Sequence, residues 1–166
     1  MKNFKYLLGI LVLSILISCG NQEKKASKSA FETQSETSTQ DTSVKVIEIT
    51  ANDAMQFNTS KIEVQAGDKV KIVLKHVGKM PKNVMGHNFV LLKKGVDLVK
   101  FGNKAATEKD SEYIPDDGDD VIAHTKLIGG GETAAVEFNA PESGSYDFLC
   151  SFPGHFAIMK GKFVVK

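Results

Sequence analysis

The sequence predicts an all-β sandwich of about eight short strands, with one short helical insertion. Three observations carry that expectation. Lys69 to Val77 alternates cleanly, with Val70, Ile72, Leu74 and His76 on one side and Lys69, Lys71, Val73 and Lys75 on the other. The apolar runs between residues 44 and 166 are short and are separated by turn-forming residues such as Ala66-Gly67-Asp68 and Pro153-Gly154. Helical periodicity enters only between Gly95 and Pro115, where the β pattern fails.

In chain order, Val44, Val46 and Ile49 begin a first strand, and Lys61 to Val64 forms a short second one. Lys69 to Val77 is the third, and His87 to Leu92 reads as a buried fourth. Val96, Val99 and Ala106, interspersed with Lys and Glu, favour a short helix or flap. Asp120 to Lys126, Thr133 to Phe138, Gly144 to Cys150 and Lys160 to Val165 complete the set.

Composition narrows the function. The chain has 166 residues, and all 21 of its basic residues are Lys. Without Arg, and with a net charge of only +1, it is a poor candidate for nucleic-acid or bidentate phosphate recognition. Two Cys exclude a disulfide-dense scaffold. Residues 44–166 carry 16 Lys and 16 acids, so this unit is formally neutral.

Residues 1–18 read as a lipoprotein signal peptide: Lys2 and Lys5, then the apolar run Tyr6 to Ile17, then Ser18. Leu16-Ile17-Ser18-Cys19 resembles a bacterial lipobox, which implies cleavage before Cys19 and lipidation of its thiol. Each buried methylene of such a lipid contributes about 0.8 kcal/mol to membrane binding. Residues 20–43 contain nine Ser or Thr and one large apolar side chain, Phe31, which cannot offset the entropy of ordering. Residues 19–43 are therefore expected to form a lipidated, disordered tether spanning about 27 Å. The folded unit is residues 44–166.

The chemistry lies near the C-terminal strand. Cys150, His155 and Met159 emerge from one inter-strand loop, with Pro153-Gly154 supplying its tight turn. Thiolate, imidazole and thioether together select copper over magnesium, calcium or manganese. A trigonal site of this kind needs a second His, and residues 44–166 offer His76, His87 and His124. His87 is favoured because Gly86 before it lets the backbone approach a metal. His76 reads as a buried, hydrogen-bonded imidazole and His124 as a surface one. Asp116-Asp117 and Asp119-Asp120 lack the spacing and closing Glu of an EF-hand, so they read as a solvated loop.

Three segments carry a family resemblance. Met80-Pro81-Lys82-Asn83-Val84-Met85-Gly86-His87-Asn88, Val121 to Gly129, and Cys150-Ser151-Phe152-Pro153-Gly154-His155 through Met159-Lys160-Gly161 resemble the azurins, bacterial cupredoxins with a type 1 blue copper site. The resemblance implies a Greek-key sandwich holding one copper ion. It makes His87, Cys150 and His155 the equatorial ligands, Met159 a weak axial ligand and the Gly86 carbonyl a distant contact. It ties the two ligand loops together through Asn88 and Ser151, and directs the backbone amides near Asn88 and Phe152 at the Cys150 sulfur. It places Met55, Met80, Val84, Met85, Phe152 and Ala157 around His155 as an apolar docking patch. It implies electron transfer with c-type cytochromes and a terminal reductase or peroxidase, in the periplasm of a bacterium, here anchored to a membrane by the Cys19 lipid.

The chain departs from that pattern. Lys45 and Asp68 stand where azurins typically carry a disulfide, Phe89 replaces a core Trp, and Phe156 replaces a small polar residue. An enzyme would need a second metal and further His ligands, and residues 44–166 hold only four His in all. A copper carrier or resistance protein is the alternative, but such proteins favour exposed Met or His clusters.

Overall fold

The computed structural model describes residues 44–166. The signal segment, Cys19 and the tether lie outside the described residues. Among the described residues nine strands are present, one more than the sequence suggests. They are β1 (Lys45–Asn52), β2 (Gln56–Phe57), β3 (Lys61–Val64), β4 (Lys69–His76), β5 (Val90–Leu92), β6 (Val121–His124), β7 (Thr133–Asn139), β8 (Gly144–Leu149) and β9 (Lys160–Val165). The extra strand is β2. It pairs with β1 through only two residues, too few to leave a periodic signal.

Two sheets form the sandwich. One runs β2-β1-β4-β7 and the other β3-β9-β8-β5-β6. The β1–β4 and β3–β9 pairs are parallel, which requires the chain to cross between sheets. The β4 alternation holds in full: Val70, Ile72, Leu74 and His76 are buried, and Lys69 to Lys75 on the other register are not. Between the sheets lie Ile49, Ile72, Leu74, Leu91 and Phe163, with Phe89 stacked 5.3 Å from Phe148. The Phe at position 89 thus fills the core without a polar ring atom to satisfy.

The expected strand His87–Leu92 is shorter than the apolar run implies. Only Val90–Leu92 is strand, and His87 makes a single bridge to Ile128. The side chains of His87 and Asn88 are committed to polar partners, and the backbone turns with them. Asn88 thereby leaves the ladder while His87 stays bridged, and both side chains become part of the site.

The insertion contains helix α2 (Leu98–Ala105), preceded in the chain by the single turn α1 (Lys82–Met85). Asp97 caps α2, its carboxylate accepting from the backbone N–H groups of Val99 and Lys100 at 2.9 and 3.1 Å. The buried face is Phe101, Gly102 and Ala105. Val99, an expected apolar position, is exposed, while Val96 packs partly against the core. Gly102 is buried because the Phe156 ring lies flat on it, so a Cβ there would overlap the ring. Helix propensity alone favours Gly102→Ala by about 1 kcal/mol. Overpacking against the half-buried Phe156 ring costs about 1–3 kcal/mol. The expected result is a lower melting temperature for Gly102→Ala, and a rise would contradict this packing.

At the far end, Lys45 Nζ lies 3.9 Å from Asp68 Oδ2. An ion pair therefore occupies the two positions where the resemblance places a cross-link. Such an exposed pair contributes under about 1 kcal/mol, against about 2–4 for a disulfide. The sandwich rests on its core instead.

Candidate metal centre

The site forms where two loops meet at one end of the sandwich. The first runs from α1 through Gly86 into His87 and Asn88. The second runs from Cys150, at the end of β8, to Met159, before β9. Its turn closes by hydrogen bonds from Cys150 N to Met159 O (2.9 Å) and from Met159 N to His155 O (2.8 Å). Gly154 takes the left-handed conformation (φ 82°) that starts the final turn.

The ligand-type atoms of His87, Cys150 and His155 lie within 4.8 Å of one another, and all three residues are buried. Cys150 Sγ is 3.8 Å from His87 Nδ1 and 3.6 Å from His155 Nδ1. The Gly86 carbonyl oxygen is 3.9 Å from the same sulfur. Gly86 is held by space rather than by backbone angle: a Cβ there would press on Lys82 O and on the side chains of Phe152 and Leu127. Met159 is buried at the base of the loop.

The surroundings set which ring nitrogens are free. His87 Nε2–H donates to the Asn52 carbonyl at 2.9 Å, leaving the Nδ1 lone pair facing the sulfur. Burial pushes the His87 and His155 imidazoles down to about 4, so both are neutral near pH 7. Burial pushes the Cys150 thiol up to about 12, only partly offset by the N–H groups of Asn88 and Phe152 directed at it. A thiolate here therefore needs a cation beside it. The donor set fits copper: two neutral imidazoles and one sulfur, dry and convergent, with a thioether-bearing residue in the same loop.

His155 differs from His87. Its Nδ1 faces the sulfur and no protein group bonds Nε2, yet no buried side-chain nitrogen or oxygen among the described residues lacks a partner. That edge therefore reaches solvent, although the residue as a whole is only 3% exposed. Phe152 lies against it at 4.7 Å and is itself met edge-on by Tyr113 at 5.2 Å.

Asn88 joins the two loops. Its Oδ1 accepts from Ser151 N at 2.9 Å, and its Nδ2 donates to Ser151 Oγ at 2.8 Å and to the Glu112 carbonyl at 3.3 Å. Of the six expected patch residues, Met80, Val84 and Ala157 are exposed, Met55 and Met85 are half-buried, and Phe152 is buried beneath them. His124 is exposed on β6. His76 is buried, accepting from Gly78 N at Nδ1 (3.0 Å) and donating from Nε2 to Met85 O (3.0 Å), with its ring 4.5 Å from that of His87.

Sequence reasoning missed three supports. Asn52 acts through its backbone carbonyl, which has no residue signature. Glu112, in a left-handed conformation (φ 54°), offers its carbonyl to Asn88 and its carboxylate to Leu127 N at 3.0 Å. Thr125 Oγ1 accepts from Phe89 N at 3.0 Å and fixes the chain just after Asn88.

The two depressed imidazoles make the copper-free chain acid-sensitive. Between pH 6.5 and about 4 the unfolded chain binds protons that the folded one refuses, so stability is present above that window and lost as pH falls through it. The two together contribute roughly 3–6 kcal/mol. The copper-free melting temperature is expected to fall steadily from pH 6.5 towards 4. A flat profile there would contradict buried neutral rings.

Residues 42–166 match the family described as copper binding proteins, plastocyanin/azurin family. The chain is 46% identical to azurin-1 of Alcaligenes xylosoxydans xylosoxydans over 69% of this chain and 92% of that protein. It is 44% identical to azurin of Pseudomonas aeruginosa over 72% of this chain and 84% of that one. It is also 44% identical to outer membrane protein H.8 of Neisseria meningitidis over 69% of this chain, but 63% of that longer protein. Among solved structures, auracyanin A, a "blue" copper protein of Chloroflexus aurantiacus, superposes with a TM-score of 0.68 at 31% identity, covering 75% of this chain and all of that one. An azurin of Methylomonas sp. strain J gives 0.66 at 32% identity, covering 74% and 98%.

Proposed function

The chain belongs to the plastocyanin/azurin family of copper-binding proteins, and from that premise we propose that it carries single electrons between redox proteins on one copper ion held by His87, Cys150 and His155. Met159 would add a weak thioether donor and the Gly86 carbonyl a more distant contact. The observation that carries this reading is the convergence of three buried donor atoms within 4.8 Å, with one imidazole edge open to solvent.

Bound copper supplies a one-electron couple between Cu(II) and Cu(I). The chain's own part is to keep the donors still. Asn52 fixes the His87 ring, Asn88 locks the Cys150 loop to the His87 loop, and Cys150 would pass its proton to water in order to hold the metal as a thiolate. Fixed donors keep the rearrangement between the two oxidation states small. The apolar surroundings and Met159 favour the reduced state and raise the potential. The solvent-facing edge of His155 is the electron port, and Met55, Met80, Val84, Met85 and Ala157, backed by Phe152, form the transient contact around it.

The partners are c-type cytochromes and a terminal reductase or peroxidase. The Cys19 lipid and the tether hold the domain at a bacterial membrane, facing the periplasm; the name of the Neisseria relative supports a membrane setting. The alternative, a protein that stores or hands on copper, is separated by a copper titration. One equivalent of Cu(II) is expected to give an intense red-region absorption that a reductant bleaches reversibly. A pale product that readily yields its copper to a chelator would favour the carrier of ions.

A further inference from the structure

The two imidazoles of the site are steadied by different means. His87 is held through its ring, because Nε2–H donates to the Asn52 carbonyl on β1 at 2.9 Å. His155 has no such bond at Nε2. Its ring packs on Phe152 at 4.7 Å and faces His87 at 5.0 Å, so its place depends on where the backbone of its own turn lies. That turn, His155–Ala157, is closed from within the loop. His155 N donates to Phe152 O (3.0 Å), and Ile158 N and Met159 N donate to His155 O (3.0 and 2.8 Å). These bonds fix the shape of the turn, but none of them ties it to another element.

Of the three side chains between His155 and Met159, Ala157 and Ile158 are exposed, and Phe156 alone turns inward, half-buried. Its ring lands on Gly102 of α2. That wall is itself fixed: Asp97 caps α2, Phe101 and Ala105 seat it in the core, and Lys104 in its last turn pairs with Asp116. Glycine weakens a helix interior. No left-handed backbone angle calls for it at position 102. The reason for Gly102 is space, since a Cβ there would enter the Phe156 ring. The missing Cβ is the socket for that ring.

We propose that Phe156 is a positioning residue for the second copper imidazole: seated on Gly102, it ties the His155 turn to α2 and keeps the ring from swinging out. This rests on the electron-carrier reading above and adds what steadies the ligand on the solvent side. With the turn anchored, the donors stay fixed as the ion changes charge, and a small ligand arriving from water meets an occupied position. With the seat lost, the turn is open for a larger share of the time, and the apparent affinity of a competing ligand rises with that share.

The test uses the full chain, copper-free and copper-loaded, beside Phe156→Ala, Phe156→Leu, Gly102→Ala and Val165→Ala. Val165 is buried at the end of β9 remote from Met159, so its truncation weakens the sandwich without touching the turn. All are compared well below their melting temperatures. In the copper-free proteins, NMR relaxation dispersion at the amides of residues 154–158 reads microsecond-to-millisecond motion. The parent, Phe156→Leu and Val165→Ala are expected to be quiet there, and Phe156→Ala and Gly102→Ala to show exchange. In the copper-loaded proteins, free imidazole is titrated while the red-region band and the EPR spectrum are followed. Phe156→Ala and Gly102→Ala are expected to reach half-displacement at about tenfold less imidazole than the parent, and Phe156→Leu near the parental value. Gly102→Ala alters nothing in the loop and acts only by unseating the ring, so it carries the test if Phe156→Ala does not fold. Quiet amides or a parental titration in these two variants overturn the proposal. So does Val165→Ala behaving like them, since lost stability alone would then account for the effect. A parent that binds Cu(II) without the intense band overturns the electron-carrier reading instead, and the copper-free amides still decide the anchoring.

Discussion

Cys150→Ser is expected to abolish the red-region absorption and the reversible redox response together. The hydroxyl is a hard, weak donor with no low-energy charge transfer to copper, and in a site this dry it will not give up its proton. The His87 ring keeps its place through Asn52, and the His155 backbone stays fixed by its bonds to Ile158 and Met159, none of which involves the sulfur. The variant therefore still folds and still takes up some cupric ion, but pale. Optical and EPR spectra of the copper-loaded variant check this. Retained blue colour would remove Cys150 from the ligand set.

Asn88→Ala is expected to have the largest effect on stability. One side chain satisfies Ser151 N and Ser151 Oγ, both buried, and the partly buried Glu112 carbonyl. Removing it strands two or three buried polar groups, at about 1–3 kcal/mol each. We expect a loss of about 3–5 kcal/mol for the copper-free chain and faster release of copper to a chelator, because the two ligand loops lose their cross-tie. Chemical denaturation with and without copper measures both. Asn88→Asp separates geometry from the amide: it keeps the acceptor for Ser151 N but loses the donor and places a charge beside the thiolate. A variant Asn88→Ala with parental stability would show that the loops are held by other means.

How much of this could be read beforehand follows from where each signal resides. The spacing of Cys150, His155 and Met159 is local, and a turn at Pro153-Gly154 brings such residues together whatever the rest of the chain does. The alternation in β4 was equally legible, because one face is core and the other is water. What could not be read depends on distant partners. The two residues of β2 are a strand only because β1 lies beside them. Val99 signals the helix, but which face of α2 is buried depends on Phe156, and the Gly102–Phe156 contact joins positions 54 apart in the chain. Asn52 serves through a carbonyl that every residue possesses. The Lys45–Asp68 pair shows the limit from the other side: two positions the family resemblance marked as a missing link are adjacent in space, but joined by charge.

The two imidazoles are not equivalent in their moorings. One is pinned at both nitrogens, to a sulfur on one side and to a strand carbonyl on the other; the second is pinned on one side only. A ring tied at a single point can swing while its neighbour stands as a doorpost. Traffic of the ion, inward during maturation or outward under chelation, should therefore pass through the doorway that His155 opens, and bulky groups parked on Val84 or Ala157 should slow loading and unloading alike.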